Sequence, residues 1–177
     1  MPDSPRMFRV LIEGSLEEVW REITRNDAPI PCFFNTRMDT PSLQAGSRLA
    51  MRSPDGKYTG VVGEILEVVP FKKFSHTFRF TNYDDPASVV TYELEPVDGK
   101  VQVTLTITDL PEGTKSAKQM VQGGKMIVSV LKSVIETGKP KFGTRMLFVL
   151  FKVMQPLSPK KCLSENWPVD GTHNGTA

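Results

Sequence analysis

The residue best placed to do chemistry in this sequence is His76, within Phe74-Ser-His-Thr-Phe78. Alternation at period two puts Phe74, His76, Phe78 and Phe80 on one face of a strand, with Lys73, Ser75, Thr77 and Arg79 opposite. Lys73 and Arg79 are costly to bury unpaired, so the aromatic face is expected to point inward. Desolvation would hold an imidazole there neutral, with one donor and one acceptor. It could orient a ligand, act as an acid or base, or be a hydrogen-bonded histidine of a filled core. Its partner could be Tyr92, in the alternating Val90-Thr-Tyr-Glu-Leu94, if the two strands pair in the expected register, or else a water or the ligand itself. No nucleophile motif accompanies them: there is no G-x-S-x-G, no C-x-x-C, and the second histidine, His173, lies in the tail. Cys32 and Cys162 are far apart and make no metal-ligand set with the two histidines, so neither metal nor cofactor is expected. Asp84-Asp85 are adjacent loop residues whose side chains should point apart into water. No catalytic residue is assigned, and the enzyme case is the weaker one.

Composition narrows the partners. The chain of 177 residues carries 22 basic and 20 acidic residues, a net charge of +2. No broad basic face is implied, which argues against nucleic acid. The start, MPDSPRMFRV, has no apolar signal core, and the longest apolar run, Met146 to Met154, is broken by Lys152. That run is too short to cross a bilayer, so no transmembrane segment and a cytoplasmic location are expected.

The elements that must position His76 follow from periodicity. Phe8, Val10 and Ile12 alternate with Arg9 in a first strand. Ser15-Leu-Glu-Glu18 reads as a capping box opening a helix with Leu16, Val19, Trp20 and Ile23 on one face. Pro31-Cys-Phe-Phe34 suits a short helical turn that brings both phenylalanines inward. From Gly46 to Asp109 the period is two, with turn signals at Pro54-Asp-Gly56 and Asp98-Gly99, which predicts an antiparallel meander. Gly60 and Gly63, in a strand running from Tyr58 to Val69, mark a bulge or a close approach. Helical period returns at Thr114, with Met120, Ile127, Leu131, Val134 and Ile135 in one stripe, and ends at Gly138-Lys-Pro140. The pair Gly123-Gly124 inside that helix implies close packing or a kink. A second helix is expected over Phe142 to Met154, buried on the domain or in a dimer.

Several segments occur together in a telling order: Leu43-Gln-Ala-Gly46, Ser53-Pro-Asp-Gly56, Gly63-Glu-Ile-Leu-Glu-Val-Val-Pro70, Val90-Thr-Tyr-Glu-Leu-Glu-Pro96, Gly123-Gly-Lys-Met-Ile-Val-Ser-Val-Leu-Lys132 and Glu136-Thr-Gly-Lys-Pro140. Over about residues 6 to 140 they resemble the heat-shock-protein ATPase activator homologue branch of the START-like (SRPBCC) superfamily. The chain departs from that pattern at Lys125, where the family usually has tryptophan, and at Phe33 and Phe34, near where it often has another.

The resemblance implies an α+β helix-grip fold, a curved antiparallel sheet around a long C-terminal helix, over residues 1–140. Residues 141–177 form an apolar helical extension and tail. It also implies a cavity between sheet and helix, with Trp20, Phe33, Phe34, Met51, Phe74, His76, Phe78, Tyr92, Leu94, Leu105, Ile107, Ile127 and Leu131 as candidate lining. Three functions are compatible with it. The first is non-enzymatic binding of a small hydrophobic or amphipathic ligand. The second is a chaperone-linked regulatory role with a protein partner, for which no individual residue speaks. The third is a cyclase- or hydrolase-type enzyme using the same cavity with His76 as base. A homodimer is a further option.

Overall fold

A computed structural model describes residues 4–170; His173 lies outside the described residues. The elements run β1 (Arg6–Ile12), α1 (Leu16–Thr24), a 3-10 turn (Pro31–Phe33), β2 (Arg37–Asp39), β3 (Arg48–Arg52), β4 (Thr59–Val69), β5 (Lys73–Phe80), β6 (Ser88–Val97), β7 (Lys100–Thr108), α2 (Lys115–Thr137) and α3 (Phe142–Met154). Three short 3-10 turns follow, between Gln155 and Asn166. The seven strands form one sheet in the order β1-β7-β6-β5-β4-β3-β2, every neighbouring pair antiparallel. This is the helix-grip arrangement. Its one strand without a forecast in the sequence is β2, whose three residues are too few to show a period.

Local chemistry explains the boundaries. The Ser15 hydroxyl accepts from Glu18 N–H at 3.1 Å while Glu18 Oε2 accepts from Ser15 N–H at 2.8 Å, so two free donors of α1 are satisfied reciprocally. The Thr114 hydroxyl caps α2 through Ala117 N–H, and Gly138, at φ 77°, ends it in the left-handed region. The β6–β7 hairpin turns through Asp98 and Gly99, both at positive φ.

The core lies between the inner sheet face, α1, the Pro31–Phe33 turn and α2. Leu131, Phe74, Leu94 and Trp20 belong to it. Gly124 is where α2 comes closest to the sheet: a Cβ there would sit 2.4 Å from the Phe8 ring. Gly123 beside it would place a Cβ 3.3 Å from Phe34. The glycine pair is thus a close-packing site, which offsets the roughly 1 kcal/mol that each glycine costs inside a helix.

The expectation for Phe142 to Met154 is corrected in part. The helix forms over those residues, but none of them is buried in the chain itself. It touches the rest of the chain along one side, where the Phe34 and Phe151 rings lie 6.5 Å apart. What the domain buries of the extension is the later segment, through Cys162 and Val169.

Leu131 is fully buried and faces the sheet side of α2. Leu131→Ala should therefore cost about 2–5 kcal/mol in a denaturant titration. A loss under roughly 0.5 kcal/mol, the range of surface positions, would contradict this placement.

Candidate ligand cavity

Between the inner face of the sheet and the first half of α2 a cavity of about 660 Å³ remains, with Gln119, Met120, Gln122, Met126 and Ile127 of the helix on its wall. Nine of the residues expected to line it do so: Phe33, Phe34, Met51, His76, Phe78, Tyr92, Leu105, Ile107 and Ile127. Four do not. Phe74, Leu94 and Leu131 are packed into the solid core, and Trp20 sits on α1 with its ring 6.1 Å from Phe71. Strand parity distinguishes inside from outside, but not the filled end of the sheet from the empty one.

Other lining residues carry signals too weak to find in sequence. Thr81 and Asn82 come from the end of β5, Gln119 and Gln122 from α2, Leu147 and Phe151 from α3, and Cys162 from the tail. Gln119, Gln122, Phe151 and Pro159 are exposed as well as lining, so the cavity reaches the surface there. Its interior is apolar and its rim carries amides.

His76 is the polar exception inside. It is 1% exposed, and burial pushes its imidazole down to about 4, only partly opposed by its hydrogen bond to the backbone. Nδ1 lies 2.7 Å from the Thr77 carbonyl oxygen. A carbonyl only accepts, so Nδ1 carries the proton and Nε2 is left with a lone pair. Nε2 is buried and has no hydrogen-bond partner. Tyr92, one of the three partners considered, does not fill that role. The β5–β6 register sets Phe74 opposite Tyr92 and His76 opposite Val90, so the His76 and Tyr92 rings stack loosely at 6.4 Å.

The backbone arrangement that fixes this tautomer sits on β4. The register between β4 and β5 shifts at Ile65–Glu67, and Glu64 N–H donates to Thr77 Oγ1 at 2.8 Å. A Cβ on Gly63 would lie 1.9 Å from the Thr77 carbonyl oxygen, so only glycine lets that carbonyl stand where His76 needs it.

The tail closes the far wall. Tyr58 bridges to Leu163, and Thr81 Oγ1 lies 3.3 Å from Cys162 Sγ. Arg52 holds the segment down: Nε donates to Asp39 at 2.7 Å, Nη1 to Thr59 Oγ1 at 2.7 Å, and Nη2 to the Trp167 carbonyl at 2.9 Å.

Glu22, Cys32 and the two loop aspartates are not among the residues that line the cavity. Burial pushes the Glu22 carboxyl up, with Arg25 3.8 Å away, and pushes the Cys32 thiol well up. Asp85 accepts from the Ser116 hydroxyl, while Asp84 projects into solvent 3.7 Å from Lys161. Among the described residues no three His, Cys, Asp or Glu side chains are grouped so as to hold a metal ion.

Residues 13–136 match the family model described as Activator of Hsp90 ATPase homolog 1-like protein. The chain belongs to that family. The match ends before α3, so the extension that completes the cavity wall lies outside it. No curated protein sequence matches the chain. Solved structures share the START-like fold. The Aha1 dimer from Colwellia psychrerythraea is 18% identical with TM-score 0.63, over 77% of this chain and 99% of that one. An Hsp90 activator from Plasmodium falciparum is 14% identical with TM-score 0.62, over 78% and 99%. A protein of the dynemicin biosynthetic locus is 19% identical with TM-score 0.62; the match covers 78% of this chain and about half, 49%, of that one. No helix among the described residues is long and apolar enough to cross a membrane.

The His76 environment has a consequence for pH. Its folded value of about 4 lies below the ordinary 6.5, so the unfolded chain takes up the proton first as pH falls. The stability tied to the neutral ring is complete above about pH 6.5 and is lost progressively toward pH 4, by about 3 kcal/mol in all. Thermal melts across that window should fall more steeply for the wild type than for His76→Phe. Parallel curves would show that the ring titrates normally.

Proposed function

We propose that this protein binds, without catalysis, a small hydrophobic or amphipathic molecule in the cavity between the sheet and α2. The observation that carries the reading is a largely apolar cavity with one buried histidine, His76, among its lining residues, whose Nε2 has no hydrogen-bond partner among the described residues. A buried acceptor left unsatisfied costs about 1–3 kcal/mol, so such atoms are normally met by water or ligand. The tautomer favours a ligand that donates, such as an alcohol, phenol, amine or protonated acid, over a bare carbonyl. Apolar surface buried at roughly 25 cal/mol per Å² would supply most of the affinity. The cavity volume falls within the usual range for small-molecule sites. Gln119 and Gln122 at the mouth suit a polar end left near water.

Catalysis is the weaker reading. The ring's low proton affinity makes it a poor base near neutral pH, and its Nδ1 faces a neutral carbonyl rather than a carboxylate that would stabilise an imidazolium. A chaperone-linked role has the family description and the Plasmodium falciparum activator in its favour. It predicts stimulation of an Hsp90 ATPase, which a ligand carrier would not give.

The test begins with native mass spectrometry of the purified protein and a thermal-shift screen of apolar alcohols, amines and acids. A retained or stabilising molecule is expected. Titration of that molecule should show His76→Phe weakened by about 1–3 kcal/mol, with melting at neutral pH little changed. Equal affinity in the two proteins, or no molecule from either search, would overturn the proposal.

A further inference from the structure

Helix α3 presents a feature that the cavity does not explain. Phe142, Met146, Val149, Leu150, Val153 and, just beyond its end, Leu157 are between 50% and 80% exposed. Their spacing of 4, 3, 1, 3 and 4 places them on one side of a helix turning about 100° per residue. Leu147 and Phe151 border the cavity on another side. On the same helical projection Lys141, Arg145 and Lys152 fall together on a third. A continuous apolar face of this kind on a folded chain marks a contact surface.

The charge of the segment says what the contact is. Between Thr137 and Ser164 there are six basic residues, Lys139, Lys141, Arg145, Lys152, Lys160 and Lys161, and no acidic one. The whole chain has 22 basic and 20 acidic residues, so the remainder is net acidic. A second copy is a poor occupant: a two-fold contact sets this patch against itself and brings like charges together without an acid to offset them. An anionic lipid surface meets both properties at once, taking the apolar face among its acyl chains and the cations among its headgroups. Geometry limits the mode. The helix has 13 residues, about 20 Å at 1.5 Å per residue, against about 30 Å of hydrocarbon. It can lie in the interface but not span it.

We infer that α3 docks this protein on the surface of an anionic bilayer, its outer apolar face inserted and its basic flank among the headgroups. The inference stands apart from what the cavity holds. Docking sets the mouth beside Phe151 next to the membrane, whether or not a ligand passes through it.

Flotation of the purified full chain with vesicles tests it, using phosphatidylcholine alone and phosphatidylcholine with roughly one-third phosphatidylserine. Binding to the anionic vesicles is expected, with a preference over neutral ones that high salt abolishes. Val149→Glu with Val153→Glu changes only exposed positions outside the cavity and should bring flotation to background. Lys141→Ser, Arg145→Ser and Lys152→Ser together should reduce partitioning to the anionic vesicles by about a hundredfold. Thermal melts verify that each variant is folded, and light scattering gives the mass in solution. Absence of flotation, equal binding to both vesicles, or undiminished binding by the double glutamate variant would overturn the inference. So would a dimer that the same variant converts to monomer without any vesicle binding, since a second copy would then own the face.

Discussion

The contact on which the arrangement depends is the close approach of Gly124 to the ring of Phe8. With any larger residue at 124 the long helix would ride higher above β1, and Phe34 could not lie against Gly123. The approach docks α2 against β1 and the Pro31–Phe33 turn. The same stretch of helix, from Gln119 to Ile127, forms one wall of the cavity. The height at which Gly124 sets α2 therefore bounds both the core beside it and the space in front of it.

Within the cavity, polarity is rationed. The Thr77 carbonyl accepts from His76 Nδ1–H, and Gly63 leaves room for that carbonyl while Glu64 N–H donates to the Thr77 hydroxyl. A backbone irregularity on one strand thus selects the tautomer of a side chain on the next. The result is an imidazole held in one tautomer, with Nε2 left as a buried acceptor that no described residue meets.

Much of this was legible from residues alone. The inward face of β5 followed from the cost of burying Lys73 and Arg79, the start of α1 from Ser15 and Glu18, and the end of α2 from Gly138. The helix-grip order followed from the change of period at Thr114. Less legible was anything that depends on how far elements reach. Phe74 and Phe78 are equivalent by parity, yet one is core and the other lines the cavity. The opposition of His76 to Val90 rather than Tyr92 depends on cross-strand register, which no single strand encodes. Cys162 reaches the cavity only because Arg52 folds the tail back, a contact between residues 115 apart in the case of Trp167. The exposure of α3 ran against its composition, since an apolar run looks like core wherever it sits.

The two walls that the extension contributes are held very differently. On one side Arg52 of β3 holds the tail through the Ser164 and Trp167 carbonyls while it stays bonded to Asp39 and Thr59. On the other, α3 rests on the cavity edge through Leu147 and Phe151, with the Phe34 and Phe151 rings 6.5 Å apart. Peeling the tail would take the Ser164 and Trp167 carbonyls away from a largely buried Arg52, whereas the contacts that Leu147 and Phe151 make are apolar. The α3 side is thus the softer of the two walls, and an opening of the cavity would start there.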